Sequence, residues 1–501
     1  MANNLSDIVA INVDIASPSV DSASFDHMLI FGPAPKVTPT SPLPKVGVYS
    51  DLTEVADAGY VSEGEGADPI GVAARVAFAQ NPKPSSIFVA AQQPYLPLIS
   101  NAVVTLITAD NYLTNAVGAD SVTGIPQSLS LPMLQITYDQ HDALGMDIEI
   151  IKDGVTRFGK TLSAETNGES YVQVCIGAAT GQYDQMSIPT ADSNGAYTVI
   201  LTGTKGHGKT IVTLEGTLTA SSVFAPGAVA IETVPVMQTS LDALKEAIGT
   251  SGWYVACAAG VEESQFEEIA AWTETQAKLF AYTFLQKTDP VSASYFRTIG
   301  VYGLITDTDL PEDVPEANAY LHIAMTAKCL AYPAGSETWA YKQLAVVRPT
   351  QASSILRKQL TDGHSNYFAQ YAGKNITMNG QVRSGEWIDI IRGRDWLEND
   401  MQLRLFNLFL ENAKIPYENG GPTKVQNEMI ASLKAAQDRG IVAKSEYDVD
   451  GKLVPGYTTS VPNVMNLTST QRASRVLREC RFSARMAGAI QMIQANGTLT
   501  Y

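Results

Sequence analysis

The 501-residue sequence is short of several things, and each shortage closes off a class of function. Its four cysteines, Cys175, Cys257, Cys329 and Cys480, stand far apart with no CxxC pair. Neither a zinc site nor a disulfide framework is indicated, and reduced, buried thiols are expected. Histidine is as sparse: His27, His141, His207, His322 and His364 are scattered, with none at the spacing of a helical metal site. No run of about 18 apolar residues exists, which excludes a spanning helix on length. No Lys or Arg precedes Lys36 and no compact apolar segment follows the start, so a secretory leader is not expected and assembly in a cytoplasm is. Charged residues are only 17% of the chain against 45% apolar, the mark of a globular chain with little surface charge. Large polymer interfaces and large plain cores both produce that balance.

Positive charge is scarcest of all. With 34 Lys+Arg against 51 Asp+Glu the formal net charge is −17, which repels phosphate and argues against direct nucleic acid binding. The deficit is uneven: residues 376 to 501 carry fifteen bases and thirteen acids, a balance of +2 that leaves −19 for the rest. An acidic body with a slightly basic end allows one copy's end to meet another copy's body, although solvated surface is the plainer account of most such asymmetry.

What the chain does have is length, and single cores stop growing at roughly 250 residues, so three or four domains are expected. Val9, Ile11, Val13 and Ile15 fall at every second position before a Ser- and Asp-rich stretch, which predicts an extended strand-forming arm over 1–24. An unpaired terminal strand needs a destined partner or is simply an edge strand of its own domain. From 25 to 92, and again from 240 to 374, strand and helix signals alternate. Met28–Phe31, Val46–Tyr49 and Ser86–Ala90 read as strands, and Pro69–Gln80 as an Ala-rich helix. Farther on, Trp253–Ala258 and Tyr295–Tyr302 read as strands, with helices opened by Ser240, by a Ser264/Glu267 capping box before a long helix reaching Ala277, and over Glu316–Leu330. Between them, residues 93–239 are rich in Thr, Ser, Gly and Val and predict an inserted all-β domain. The insertion is acidic, with thirteen acids against five bases over 101–235. The expected fold class is therefore α/β (α+β mixed) and multidomain: a discontinuous α/β core domain with an all-β insertion, followed by a C-terminal α+β domain over 375–480 and a C-terminal strand or arm over 481–501.

In the C-terminal domain a strand is predicted over Glu386–Ile391, then a helix opened by Asp395/Glu398 and another opened by Thr423/Gln426 and stopped at Gly440. Phe482, Ala484, Met486, Gly488, Ile490 and Met492 share one side of a period-two stretch, a second terminal strand. Before it Arg472, Arg475, Arg478, Arg481 and Arg485 recur every three or four residues, and a helix capped by Thr468/Gln471 would align the first four on one face. That row is a candidate docking stripe for an acidic partner, or a solvated helix face.

Signs of chemistry are few. Gly203-Thr-Lys-Gly-His-Gly208-Lys209-Thr210 matches the phosphate-loop pattern literally, but the Ile-Val-Thr-Leu run after it predicts a strand where that loop needs a helix N-terminus, so a hairpin is the better reading. No GxSxG elbow is present. The acidic cluster Glu54, Asp57, Glu63, Glu65 and Asp68 lacks the ligand spacing of a calcium loop and reads as a solvated face. No catalytic residue, metal or cofactor is assigned, and the chain is read as a non-enzyme.

Three stretches together resemble contractile tail sheath proteins, in particular divergent sheath-like proteins of some myophages. They are Met28-Leu-Ile-Phe-Gly-Pro-Ala-Pro leading to Val46-Gly-Val-Tyr-Ser-Asp-Leu-Thr-Glu-Val, then Trp387-Ile-Asp-Ile-Ile-Arg-Gly-Arg394, then Phe482-Ser-Ala-Arg-Met-Ala-Gly-Ala-Ile490. The likeness spans the two α/β parts and not the insertion. It implies a structural subunit that polymerises helically around an inner tail tube and contracts to drive that tube through a target envelope, with both terminal arms completing sheets of neighbouring copies. The implied partners are other copies of the chain, the tube protein, and baseplate and tail terminator proteins, with no membrane insertion, in a virion tail assembled in the bacterial cytoplasm. A P-loop nucleotide hydrolase and a capsid- or adhesin-type surface protein are the alternatives.

Overall fold

The computed structural model describes residues 24–36, 43–95, 99–107, 133–140, 146–152, 154–162, 168–176, 184–186, 195–203, 209–216, 230–234, 236–250 and 252–494. The strand predicted through Val9, Ile11, Val13 and Ile15 lies outside them. The chain divides into two compact units, residues 1–92 with 240–501, and residues 93–239.

The first unit is built on an eight-stranded sheet. Its strands are β1 (Met28–Gly32), β2 (Gly47–Tyr49), β3 (Ile87–Ala91), β4 (Val255–Ala258), β5 (Leu279–Phe284), β6 (Thr298–Tyr302), β7 (Asn366–Tyr371) and β8 (Lys374–Met378). They lie in the order β8-β7-β6-β5-β4-β1-β3-β2. The pairs from β3 to β7 are parallel, and the two edges are antiparallel.

The central strands are apolar without a break because both faces of the sheet are covered, as parallel sheets require. Met28 and Ile30 of β1 enter one core while Leu29 and Phe31 enter the other. In β5, Leu279 and Ala281 share the first core, and Phe280, Tyr282 and Phe284 share the second. The first core is closed by α1 (Leu52–Asp57), α2 (Pro69–Phe78) and, later in the chain, Leu321–Leu330. The other is closed by α3 (Ser240–Ala247), α4 (Phe266–Thr273) and Ser354–Asp362. These last helices of each layer are α5 (Leu321–Leu330) and α6 (Ser354–Asp362). Helix α2 starts with Pro69 at its first turn, where the missing N–H costs nothing, and its buried Ala73, Ala74 and Ala77 let it lie close to the sheet. The result is a mixed α/β architecture of three layers.

Two sequence expectations fail here. The helix predicted through Ala277 stops at Thr273, and no side chain caps its start: Glu267 instead accepts from the Ser292 amide (3.0 Å) and the Tyr295 hydroxyl (2.9 Å). The carboxylate is more useful holding a neighbouring loop than closing its own helix. The strand predicted over Glu386–Ile391 is the opening of a 24-residue helix, α7 (Ile388–Glu411), and Asp395 and Glu398 lie inside it rather than capping it. Both carboxylates are buried, and Asp395 is occupied by arginines instead of by backbone amides.

The second unit is all strand wherever it is described. Asp184–Met186, Gly168–Ile176, Met133–Gln140 and Ile99–Ile107 form one four-stranded sheet. Ala230–Val234, Lys209–Gly216, Gly195–Gly203, Met146–Lys152 and Val155–Leu162 form a five-stranded one. Its two chain ends are held together by a short antiparallel pair, Pro94–Tyr95 with Val236–Met237, and by the Gln238 amide donating to the Gln93 carbonyl at 2.9 Å. The phosphate-loop pattern falls across Gly195–Gly203 and Lys209–Gly216, which pair antiparallel from Gly195↔Gly216 to Thr202↔Lys209. Lys209 thus opens a strand, where a phosphate loop would run into a helix N-terminus.

Candidate assembly site

After α7 the chain turns back through α8 (Gly420–Arg439), which ends where Gly440 takes a left-handed conformation at φ 84°. The predicted start at Thr423 is one turn late: Asn419 precedes the helix, and the Thr423 hydroxyl donates to the Asn419 carbonyl at 2.8 Å. Two strands then run along this helical hairpin, β9 (Tyr457–Ser460) and β10 (Arg481–Ala484), paired antiparallel from Tyr457↔Ala484 to Ser460↔Arg481. Gln426 near the start of α8 donates to the Thr459 hydroxyl at 3.1 Å, and Gln437 near its end donates to the Ala443 carbonyl at 2.7 Å. The ribbon is therefore tied to α8 at Thr459, and the segment just after the helix is tied back to its last turns.

Leu397, Met401, Met429, Leu433, Ala436, Ile441 and Val442 form a small core beneath this ribbon, and Phe482 and Ala484 pack against it. The alternation of the final stretch thus has its cause at these two positions. It does not extend to the rest of the row. The strand stops at Ala484; Met486 makes one bridge to Val442, with the Ala443 amide donating to the Arg485 carbonyl at 2.7 Å and the Ala487 amide to the Ile441 carbonyl at 2.9 Å. Beyond it the segment is held to the body by Gln491, whose side chain donates to Thr338 Oγ1 at 2.6 Å and whose carbonyl accepts from Tyr341. Ile490 and Met492 are exposed at 81% and 77%. Among the described residues the β9–β10 ladder has only these two strands, so its outer edges offer backbone groups to a further strand.

The arginine row is placed differently from the sequence expectation. The Thr468/Gln471 capping box forms, with the Gln471 amide donating to the Thr468 hydroxyl at 3.2 Å, but the helix it opens, α9 (Ser469–Ala473), is one turn long. Arg472 alone lies in it. Arg475 takes a positive φ of 56° just past the helix, Glu479 takes another of 65°, and Arg478, Arg481 and Arg485 lie outside any helix, Arg481 opening β10. All five are exposed, and Arg485 is tied to Glu446 at 2.9 Å.

The feature missed from sequence is the charged joint inside α7. Ile388 and Ile391 belong to the large core while Leu397 and Met401 belong to the small one, so one helix serves both. Between them Arg392, fully buried, donates to Glu337 (2.5 Å), Asp26 (2.8 Å) and the carbonyls of Phe25 (3.1 Å) and Tyr332 (2.8 Å). Asp395, equally buried, accepts from Arg297 at 2.8 and 3.2 Å, from Arg394 at 2.6 Å and from the Tyr254 hydroxyl at 2.7 Å. Burial pushes the Asp395 carboxyl up, but the two guanidinium groups outweigh it and hold it below the usual range. At Glu398 the balance is reversed: burial and then the nearby Asp395 charge outweigh Arg394 and Arg297 and push it up to about 7. Burial likewise carries Asp389 to about 6. Four charged residues, Asp389, Arg392, Arg394 and Asp395, among Ile, Trp and Leu in Trp387–Leu397 are the available signal, since buried charge survives only when paired.

Cys257 and Cys329 are buried thiols and Cys480 is partly buried, none of them in a disulfide. Among the described residues no group of three or more His, Cys, Asp or Glu is arranged to hold a metal ion, and no helix is long and apolar enough to cross a membrane.

Residues 388–499, which begin with α7 and contain the whole helical hairpin and ribbon, match the family model described as E217 tail sheath protein gp31-like, C-terminal domain. The chain resembles contractile tail sheath proteins. A search of curated proteins finds no match. Among solved structures, the likeness includes the sheath tail protein DSY3957 of Desulfitobacterium hafniense, at 13% identity and a TM-score of 0.39 over 90% of this chain and 93% of that one. It also includes the sheath complex of the extracellular contractile injection system PVC in its contracted state, at 9% identity and 0.41 over 98% and 96%. A third is the baseplate of the anti-feeding prophage, at 12% identity and 0.40 over 52% and 73%. The sheath-like domain is the part in which the sequence match and the described ribbon coincide.

Proposed function

We propose that this chain is the structural subunit of a contractile tail sheath, polymerising helically around an inner tube and contracting to drive it through a target envelope. The match of residues 388–499 to a tail sheath C-terminal domain carries the reading. The β9–β10 ribbon supports it, because a two-stranded ladder laid on a helical hairpin is built to be widened by strands from elsewhere. In this reading the period-two segment through Val9, Ile11, Val13 and Ile15 and the exposed residues after β10 serve as the linking strands. Backbone hydrogen bonds tie copies together whatever the side chains, while the linkers let the bodies move. Contraction is then relaxation from a metastable extended polymer to one with more buried interface, and it needs no nucleotide. The arginines from Arg472 to Arg485 are the candidate docking stripe for an acidic partner. Baseplate and terminator proteins close the polymer's ends, and the assembled tail is its location, built in the bacterial cytoplasm.

Negative-stain microscopy of the purified protein tests this directly: hollow cylinders are the expected particle, and closed shells or monodisperse monomers overturn it. Deleting residues 1–20 should leave a folded, soluble monomer that makes no cylinders. Nucleotide hydrolysis abolished by Lys209→Ala is the result that would replace the reading with an enzymatic one.

A further inference from the structure

The sheath-like domain carries two exposed apolar surfaces of opposite charge, one at each end of α8. At the C-terminal end, after Gly440, the hairpin Glu446–Tyr447/Leu453–Val454 projects with Tyr447 at 75% and Val449 at 102% exposure. Asp448 and Asp450 alternate with those apolar residues along the chain, with Lys452 following, while Glu446 is paired with Arg485 at 2.9 Å. At the N-terminal end, the segment 464–476 is fastened to the α7–α8 turn: the Val464 amide donates to Asn419 Oδ1 at 2.9 Å, and the Tyr417 hydroxyl donates to the Val476 carbonyl at 3.1 Å. There Met465 and Val476 stand exposed, as does Leu410 in the last turn of α7. Arg472, Arg475 and Arg478 accompany them against a single Glu479, and all four are exposed.

Neither surface has an apolar cover among the described residues, and apolar side chains left in water on a protruding turn mark a contact yet to be made. Their charges are opposite: residues 446–454 carry a formal −2, of which Arg485 matches Glu446 and leaves Asp448 and Asp450 against Lys452, and the arginine segment carries +2. The 20 residues of α8 hold them roughly 30 Å apart, so one molecule cannot bring its own two surfaces together.

We infer that the Tyr447–Leu453 hairpin of one copy docks on the Met465/Val476 surface of the next, with its acids facing Arg472, Arg475 and Arg478. Such a contact joins two different patches, so it is heterologous and repeats head to tail. It closes into a ring or runs on as a helix according to the rotation between copies. The inference rests on the reading that copies of this chain assemble, and it adds a side-chain contact that needs neither terminal arm. It also fixes direction, since every copy offers its hairpin at one end and receives at the other.

Charge reversal on each surface tests it. Val449→Arg/Asp450→Arg reverses the hairpin without touching Asp448, whose carboxylate accepts from the Asp450 and Lys452 amides and so holds the turn. Arg472→Glu/Arg478→Glu reverses the other surface. Each variant alone should lose most of its assembly by sedimentation, at least tenfold, with an unchanged circular dichroism spectrum. An equimolar mixture should recover assembly, because each variant's altered surface then meets a complementary one. Wild-type assembly with both variants unaffected, or with no recovery on mixing, overturns the contact and leaves the sheath reading standing. A wild-type protein that never assembles overturns the sheath reading and the contact with it. As an independent readout, Val449→Cys/Val476→Cys should give a ladder of disulfide-linked copies under oxidation; absence of a ladder in assembled material also overturns the contact.

Discussion

Asp395 is a fully buried carboxylate held by three side chains. Two guanidinium groups and a phenol converge on it with no solvent exposure, so its removal strands Arg297 and Arg394 in an apolar joint. Breaking a buried pair by taking away one partner costs about 3–5 kcal/mol. Asp395→Ala should destabilise the chain by that amount in chemical denaturation, and Asp395→Asn, which still accepts a hydrogen bond, by less. Glu398, one turn later, works in the opposite sense. Its folded pKa of about 7 lies above the ordinary carboxyl value, so the folded state holds the proton that the unfolded chain releases. The stability it contributes is complete below about pH 4 and fades as pH rises through 7. Glu398→Gln should therefore flatten the pH dependence over that window and stabilise the protein at pH 8, by on the order of 1–2 kcal/mol after allowance for solvent screening. An unchanged slope in thermal melts across pH 5–8 would show that Glu398 is not the group responsible.

At the scale of elements, legibility in the sequence follows whether an element is decided locally. β1, β3 and α2 stand close to where their apolar runs and Pro69 place them, because burial on both faces leaves little choice. The opening of α7 reads as a strand because Trp387–Ile391 is a short apolar run of mostly β-branched residues, whereas its apolar positions serve two cores in turn and its charges are satisfied by Arg297, Glu337 and Tyr254, which lie 55 or more positions away in sequence. The arginine row kept its spacing but not its helix, since Arg475 turns the chain at positive φ and periodicity says nothing about where a helix stops. The ribbon was half legible: Phe482 and Ala484 obey the alternation because a core lies beneath them, and Ile490 and Met492 do not. Phe482→Ala should cost about 1–2 kcal/mol, less than a fully buried Phe, and the loss should be local. Hydrogen exchange should show reduced protection of Tyr457–Ser460 and Arg481–Ala484 with the eight-stranded sheet unaltered; equal loss in both would contradict it.

At the scale of the whole molecule, the chain leaves the α/β unit after Gln92 and re-enters it at Ser240, and these two residues are joined by a hydrogen bond of 3.1 Å. An interruption whose ends meet so closely imposes little on the unit it interrupts. Replacing residues 93–239 with a short Gly-Ser linker should leave a soluble protein that unfolds cooperatively with the same spectroscopic signature of packed Trp253 and Trp339. Aggregation or loss of that signature would mean the insertion supports the sheet.

Helix α7 sets a mechanical condition on any such assembly. A 24-residue rod of about 36 Å is anchored in one core at its start and in another further along, with Arg392 and Asp395 bolted between them. Load placed on the ribbon at the chain's end has no slack joint to dissipate in before it arrives at the central sheet.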